Sequence, residues 1–150
     1  MNVILSILNW LEGVDPMEDD IEVVARTIYG EARGEPDEGK KDVASVIMNR
    51  VKLQWKGDKD AKSVCLHHSQ FSCWLDSDPN RSIIMEVTPS DPVYAKCLDI
   101  ARSAIDGSLG DTANGADSYE RIGTDAYWAA GLTPCKVTGH HAFYITRKDR

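Results

Sequence analysis

Two amphipathic stretches separated by a forced break constrain this chain more than any other feature. Ile21, Val24, Ala25 and Ile28 recur at i, i+3, i+4 and i+7, the spacing of one buried helical stripe. The pattern predicts a helix from Asp19 to about Arg33. It cannot run on, because Gly34 is a poor helix residue and Pro36 drives Glu35 out of the helical region. A second stripe follows, Val43, Ala44, Ile47 and Val51, with Lys40, Lys41 and Lys52 expected outward and Asp37 as the expected N-cap. This helix ends near Lys52 or Leu53.

A third helix is expected to open at Asp91-Pro92, a cap residue followed by the proline favoured at the first helical position, and to close at Gly107. Its stripe is Tyr94, Cys97, Leu98, Ala101, Ala104 and Ile105. The stretch from Trp55 to Thr88 reads as irregular, with a short helix over Ala61 to Leu66 and a loop around Gln70 to Trp74. A Gly, Asn and Asp-rich run then leads to Ala116–Glu120, to a short helix over Asp125 to Ala130, and to a terminal strand from His141 to Thr146. The class is mainly α (α+β): one helical domain over residues 1–150 with a small β element. A chain of 150 residues buries roughly two thirds of its unfolded surface, enough for a core without metals or crosslinks.

Val3–Leu11 is apolar but short, has no basic segment before it, and is followed by Glu18, Asp19 and Asp20. It reads as neither signal peptide nor span, so residues 1–18 are expected to form a docked N-terminal helix without stable membrane insertion. The net charge of −7, with Lys and Arg dispersed among acids, argues against nucleic acid as partner. Of the four cysteines, Cys97 falls on an apolar helix face and reads as a buried thiol. Cys65, His67, His68 and Cys73 carry zinc-ligand chemistry without the repeated tight pairs of structural zinc sites. A Cys65–Cys73 disulfide would need an oxidising compartment. The expectation is four free thiols, no metal and no cofactor.

The first break also raises a chemical question, because Glu31 and Glu35 flank it. At about 100° per residue Glu31 falls within about 20° of Val24, on the edge of the buried stripe. A carboxyl placed against apolar groups loses water, which raises its pKa toward the range where it can deliver a proton near neutrality. The competing reading is a structural ion pair with Arg33 or Arg50. Glu35 lies beyond the helix end, where exposure is the default and accepting hydrogen bonds from the next helix's amides is the favoured role. Asn49 and Arg50 are expected to lock the two helices together. Phe71, Trp74 and Trp128 are candidates to stack on sugar faces, Trp74 foremost. His141 reads as a hydrogen-bonded structural histidine before a base.

Residues Ala25–Val51, ARTIYGEARGEPDEGKKDVASVIMNRV, resemble the opening signature of the bacterial cell-wall hydrolase family that includes the spore cortex-lytic enzymes. That pattern joins G-E-[AS]-R-G-E to a second helix ending in N-R-V. Gln70-Phe71-Ser72 with Trp74, the run Gly115-Ala116-x-x-Tyr119, and Gly139–Tyr144 resemble its later segments. The resemblance implies a compact lysozyme-like domain that cleaves the β-1,4 bond between N-acetylmuramic acid and N-acetylglucosamine in peptidoglycan. By motif position it implies Glu31 as the catalytic acid, with Glu35, Gln70, Phe71, Ser72, Trp74, Tyr119, His141 and Tyr144 as substrate-binding candidates. Two departures stand out: Ser118 and Glu120 flank Tyr119 where relatives often place histidine, and Ala32 follows Glu31 where related lytic transglycosylases have serine. A hydroxyl near substrate would then come from Ser72 or Tyr119.

With no second carboxylate placed inward like Glu31, a single-glutamate lytic transglycosylase reaction is expected before lysozyme-type hydrolysis. A noncatalytic peptidoglycan-binding module is the alternative from another class, and a zinc amidase using His67, His68, His140 or His141 lacks a ligand pattern such as H-E-x-x-H. The expected setting is that of a phage endolysin: a monomer made in the host cytoplasm that reaches peptidoglycan after a separate protein permeabilises the membrane.

Overall fold

A computed structural model describes residues 16–147. The docked helix expected over residues 1–18 falls, but for its last three residues, outside them. Helix α1 spans Pro16–Ala32, with Glu18 and Asp19 in the first turn where the helix dipole favours acids. Helix α2 spans Asp37–Leu53, α3 Ala61–Leu66, α4 Asn80–Glu86 and α5 Pro92–Asp106. Strands β1 Ser118–Arg121, β2 Lys136–Thr138 and β3 His141–Tyr144 follow, forming one antiparallel sheet in the order β1-β3-β2. The fold is mainly helical with a small β element, as the sequence predicts. Among the described residues no helix is long and apolar enough to cross a membrane.

Helix α1 is the axis of the core. Val23, Val24, Ala25 and Ile28 are fully buried, and the helix packs against α2, α3, α4 and α5. Its stripe is wider than the sequence reading, since Val23 and Thr27 are fully buried as well. Helix α5 begins and ends as expected. Asp91 accepts hydrogen bonds from the Val93 and Tyr94 amides, and Gly107 closes the helix at φ +88°.

Several local expectations need correction. Asp37 is the first residue of α2 and caps nothing; Pro36 holds the cap position without a side-chain bond. Lys40, expected outward, is buried and donates to the Glu35 carbonyl. The segment from Trp55 to Thr88 contains α4, whose inward residues are only Ile84 and Met85, too few for a legible period. The short helix expected over Asp125 to Ala130 is one 3-10 turn, Tyr127–Ala129, because Asp125 takes a left-handed φ of +54°. The last strand stops at Tyr144, two residues earlier than expected.

The sheet is fastened to α2 by buried polar groups. Asp42, wholly inaccessible, accepts from Lys136 Nζ at 2.9 Å, Thr112 Oγ1 at 2.6 Å and Thr138 Oγ1 at 2.7 Å. Asn49 Nδ2 donates to the Ala116 carbonyl at 2.9 Å, and Arg50 Nε to the Asp117 carbonyl at 2.7 Å. Asn49 and Arg50 therefore join α2 to the entry of β1 and do not join the two helices. In β3 register, Tyr119 lies opposite Phe143 and Arg121 opposite His141. Alternation then puts Tyr119, His141 and Phe143 on one face, their rings 5.1 to 6.2 Å apart, and Tyr144 on the other against Trp128.

Two glycines of the first break should respond in opposite ways. A Cβ at Gly30 would lie 2.7 Å from Cys73 Cβ and 2.9 Å from Ile84 Cγ2, whereas one at Gly34 would meet nothing within 4 Å. Gly30→Ala should destabilise by about 1–3 kcal/mol through overpacking, despite alanine's better helix propensity. Gly34→Ala should be neutral or stabilising by up to about 1 kcal/mol. Urea midpoints of the two variants check this, and a shift of the same sign in both would contradict it.

Candidate active site

Glu31 occupies the last turn of α1, and Tyr119 reaches it from β1: the phenol O–H donates to Glu31 Oε1 at 2.6 Å. Glu31 as a whole is half-buried, and the protein packed around its carboxyl desolvates it. Burial raises its pKa; the Tyr119 hydrogen bond and the adjacent Cys73 thiol oppose the rise, Asp78 adds to it, and Arg50 again opposes it. The net direction is up. Burial also pushes the Tyr119 phenol well up, so it stays protonated and remains a donor.

Neither ion pair considered for Glu31 forms. Arg33 donates to Asn80 Oδ1 at 2.7 Å and to the carbonyls of Tyr29 and Gly30. Arg50 is held by the Asp117 carbonyl and lies over the rings of Trp55 and Phe71, 5.0 and 5.2 Å from their centroids.

Glu35 is built into a different environment, contrary to the expectation of exposure. It is buried and accepts from the His140 amide at 2.7 Å and the His140 ring at 2.8 Å, with His141 Nδ1 at 3.6 Å. Burial alone would raise its pKa, but these donors outweigh it and hold the carboxyl low. Its carboxylate does accept a backbone amide, but that amide comes from the β2–β3 turn and not, as expected, from α2. A Cβ at Gly139 would sit 2.6 Å from Glu35 Oε1, so the Gly139-His140 turn is shaped around this carboxylate. His141 is buried, and burial lowers its pKa, which keeps the ring neutral as it packs against Tyr119.

Tyr119 also forms part of a groove of about 360 Å³, together with Gln70, Arg50, Trp55, Lys56, Tyr127 and Trp128. Gln70, Tyr119 and Trp128 are thus the sequence candidates that the structure brings to this groove. Phe71 is buried beneath Arg50, and half-buried Trp74, whose indole donates to Thr27 at 2.9 Å, does not line the groove. Ser72 is exposed outside the groove wall. Tyr144 lies on the opposite sheet face, donating to Glu120 at 3.3 Å. Beside Trp128 the groove is lined by Trp55 and Tyr127, which were legible only as aromatics in polar, Gly and Asp-rich surroundings; Tyr127 is 91% exposed.

A larger cavity, about 570 Å³, lies among Asp19, Asp20, Asp60, Lys62 and His67. It shares no wall residue with the groove and its acids are occupied: Asp60 caps α3, Asp19 pairs with Lys62, and Asp20 accepts from the Lys62 amide. The zinc-type cluster does not assemble either. Cys65 and Cys73 are buried, His67 turns to Asp58 at 2.7 Å, and all four cysteines are unpaired. Burial pushes the Cys65 thiol up to about 12.

The opposed shifts of Glu31 and Glu35 have opposite consequences for stability. Glu31, raised above its ordinary 4.5, keeps in the folded state a proton that the unfolded chain has lost. Stability therefore falls as pH rises from 4.5 through the folded value. Glu35, held below 4.5, contributes stability present above that value and lost as pH falls through its folded pKa. Glu31→Gln should stabilise the protein at pH 7 and lose that advantage below about pH 4.5. Glu35→Gln should destabilise it at pH 7, with the loss shrinking on acidification. Denaturant midpoints from pH 3 to 8 check both, and parallel pH profiles for the two variants would contradict the assignment.

Comparison with known proteins agrees with the fold. The profile of a family described as Cell Wall Hydrolase matches residues 34–144, a span that begins just past Glu31. The spore cortex-lytic enzyme of Halalkalibacterium halodurans is 30% identical over 127 residues, covering 84% of this chain and 34% of that protein. That of Oceanobacillus iheyensis is 56% identical over 34 residues, 23% of this chain and 12% of that protein. The chain thus spans about a third or less of these curated relatives. The catalytic domain of the germination-specific lytic transglycosylase SleB from Bacillus anthracis superposes with a TM-score of 0.64 at 27% identity, covering 89% of this chain and 98% of that one. The catalytic domain of the Bacillus cereus SleB protein gives 0.65 at 26% identity, covering 89% and 99%.

Proposed function

The chain belongs to the cell wall hydrolase family, and we propose that it cleaves the β-1,4 bond between N-acetylmuramic acid and N-acetylglucosamine in peptidoglycan, with Glu31 as the sole catalytic carboxyl. The observation that carries this reading is the environment of Glu31: a carboxyl made more basic by burial and held in one orientation by the Tyr119 hydroxyl at 2.6 Å, beside an aromatic groove. Its likeness to lytic transglycosylase catalytic domains supports the same chemistry.

Protonated Glu31 gives its proton to the glycosidic oxygen, and the bond from that oxygen to the muramyl C1 breaks. The N-acetyl carbonyl oxygen stabilises the cation at C1. Glu31, now a carboxylate, takes the proton from the C6 hydroxyl of the same sugar, and O6 closes on C1. The products are a free 4-hydroxyl on N-acetylglucosamine and a 1,6-anhydro ring, with no water consumed. The raised pKa serves both halves, since Glu31 must be a proton donor at first and an effective base afterwards. Tyr119 supplies the hydroxyl that relatives place next to the glutamate and that Ala32 lacks here.

Water activation would require a second carboxylate some 5 to 9.5 Å from the acid, free to act. Glu35 is occupied by His140, and Glu120 accepts from the Ala126 amide and Tyr144. Asp78 is the remaining acid that acts on Glu31 electrostatically, and Asp78→Asn separates the two chemistries. Delivery to the wall after membrane permeabilisation, as for an endolysin, is part of this reading; lysis by the native chain expressed without a permeabilising protein would count against it.

Glu31→Gln should keep the fold and lower the rate by ~10²-fold or more, because the amide cannot donate a proton. Digests of purified peptidoglycan by the native protein should contain muropeptides one water lighter than lysozyme products and resistant to borohydride. Asp78→Asn should retain them. Near-normal activity of Glu31→Gln would end the assignment, and a predominance of reducible ends abolished by Asp78→Asn would replace it with hydrolysis.

A further inference from the structure

The groove differs from the rest of the molecule in its charge. The chain carries a net charge of −7, yet the groove wall contains two cations, Arg50 and Lys56, and no carboxylate. Arg50 is buried; its Nε is spent on a backbone carbonyl, its Nη1 has no hydrogen-bond partner among the described residues, and no carboxylate lies within ion-pair distance of it. Lys56 is exposed and likewise forms no ion pair among the described residues. Its backbone is left-handed, φ +54° and ψ +27°, inside the turn Trp55–Gly57 that follows α2, so its place at the groove rim is set by that turn. A chain that selected cations here against so acidic a background gains a local field of opposite sign to its surroundings, strongest within a Debye length of roughly 8–10 Å.

We propose that Arg50 and Lys56 make this groove selective for glycan strands that carry a carboxylate on the lactyl arm of muramic acid, with Lys56 the specificity-determining residue at the rim. The inference rests on the peptidoglycan reading above and adds the substituent that the site reads. The sugars themselves are neutral, so they give aromatic faces such as Tyr127 something to stack on but give the two cations nothing. The muramyl lactyl arm is the part of the polymer that bears acid, either as its own free carboxyl or through the peptide attached to it. Both sources present one carboxylate chemistry to an ammonium group. Lys56 forms its pair only when substrate is bound, and Arg50, deeper in the wall, supplies a fixed positive potential that an anionic strand meets and an uncharged strand does not.

Three substrates separate the terms: peptide-bearing strands, strands stripped of peptide by an amidase so that the lactyl carboxyl is free, and strands whose carboxyls have been converted to neutral amides. The native protein should show a KM about three- to fivefold higher on amidated strands than on an acidic one, the size expected for an exposed ion pair, with little change in kcat. Preference for the first or the second substrate identifies which carboxylate is read. Lys56→Asn, a residue that tolerates the left-handed backbone, should remove most of the difference in KM and leave only the part that Arg50 supplies, and Lys56→Arg should restore it. Equal KM on all three substrates, or a preference undiminished in Lys56→Asn, would overturn the proposal. Sedimentation of Glu31→Gln with acidic and amidated strands reads the same preference without turnover. If the native protein cleaves none of the three but that preference persists, the catalytic reading fails and the anion reading stands; if Glu31→Gln sediments equally with both, the anion reading fails whatever the catalysis.

Discussion

The site depends on a row of polar groups that α2 and its leading turn bury beneath the sheet: Glu35, Asp42, Asn49 and Arg50. A buried carboxylate or guanidinium costs several kcal/mol unless its bonding capacity is met. Here the partners come from residues 112–117 and 136–140: Thr112, Ala116 and Asp117 on one side, Lys136, Thr138 and His140 on the other. A displaced sheet would leave several of these groups unpaired at once. The sheet therefore has one low-energy position, and in that position Tyr119, two residues past the Asp117 carbonyl held by Arg50, meets Glu31.

This organisation explains which parts of the molecule were legible in the sequence. Helices α1, α2 and α5 each bury a stripe with a helical period, and the breaks at Gly34-Pro36 and Gly107 are local backbone chemistry. Glu31 was legible for the same reason, since an acid on the edge of an apolar stripe is visible on a wheel. Strands β1 and β2 were not, being four and three residues long and too short to show a period of two. Lys40 and Asp37 were misplaced because their positions are decided by the Glu35 carbonyl and by Pro36, neither of which a stripe records. Of the aromatics expected to stack on sugar only Trp128 reaches the groove, for a related reason. Phe71 and Trp74 sit beside polar residues in sequence, but Phe71 is covered by Arg50 and Trp74 is tied to Thr27 away from the groove wall, while Trp55 and Tyr127 owe their place on the groove to the turns that carry them.

The close fit around Glu31 has its own cost to the fold. Glycine at position 30 is required because Cys73 and Ile84 occupy the space a Cβ would need, and that contact brings the Cys73 thiol beside the Glu31 carboxyl. Apolar and weakly polar neighbours at this distance take water from the carboxyl and leave only the Tyr119 hydroxyl as a strong partner. Such an acid is a net liability to stability at neutral pH, as active-site groups often are. The buried row offsets it, since Glu35, Asp42 and Asn49 all find hydrogen-bond partners and only Arg50 Nη1 is left without one, whereas Glu31 keeps a single strong partner.

The two glutamates of one short motif therefore reach opposite protonation behaviour although burial pushes both in the same direction. For Glu35, the amide and ring donors of His140 reverse the effect of burial, and the carboxylate becomes an anchor for the β2–β3 turn. For Glu31, a phenol and a thiol do not reverse it, and the carboxyl keeps its proton to a higher pH. The anchor serves the acid: Glu35 fixes the turn that starts β3, His141 of that strand packs on Tyr119, and Tyr119 orients Glu31. A pair of acids whose environments push them apart is what proton transfer by one of them requires. The spacing of four residues across a helix break is what makes the separation geometric, because the break sends one carboxyl to the groove side of the sheet and the other beneath its turn.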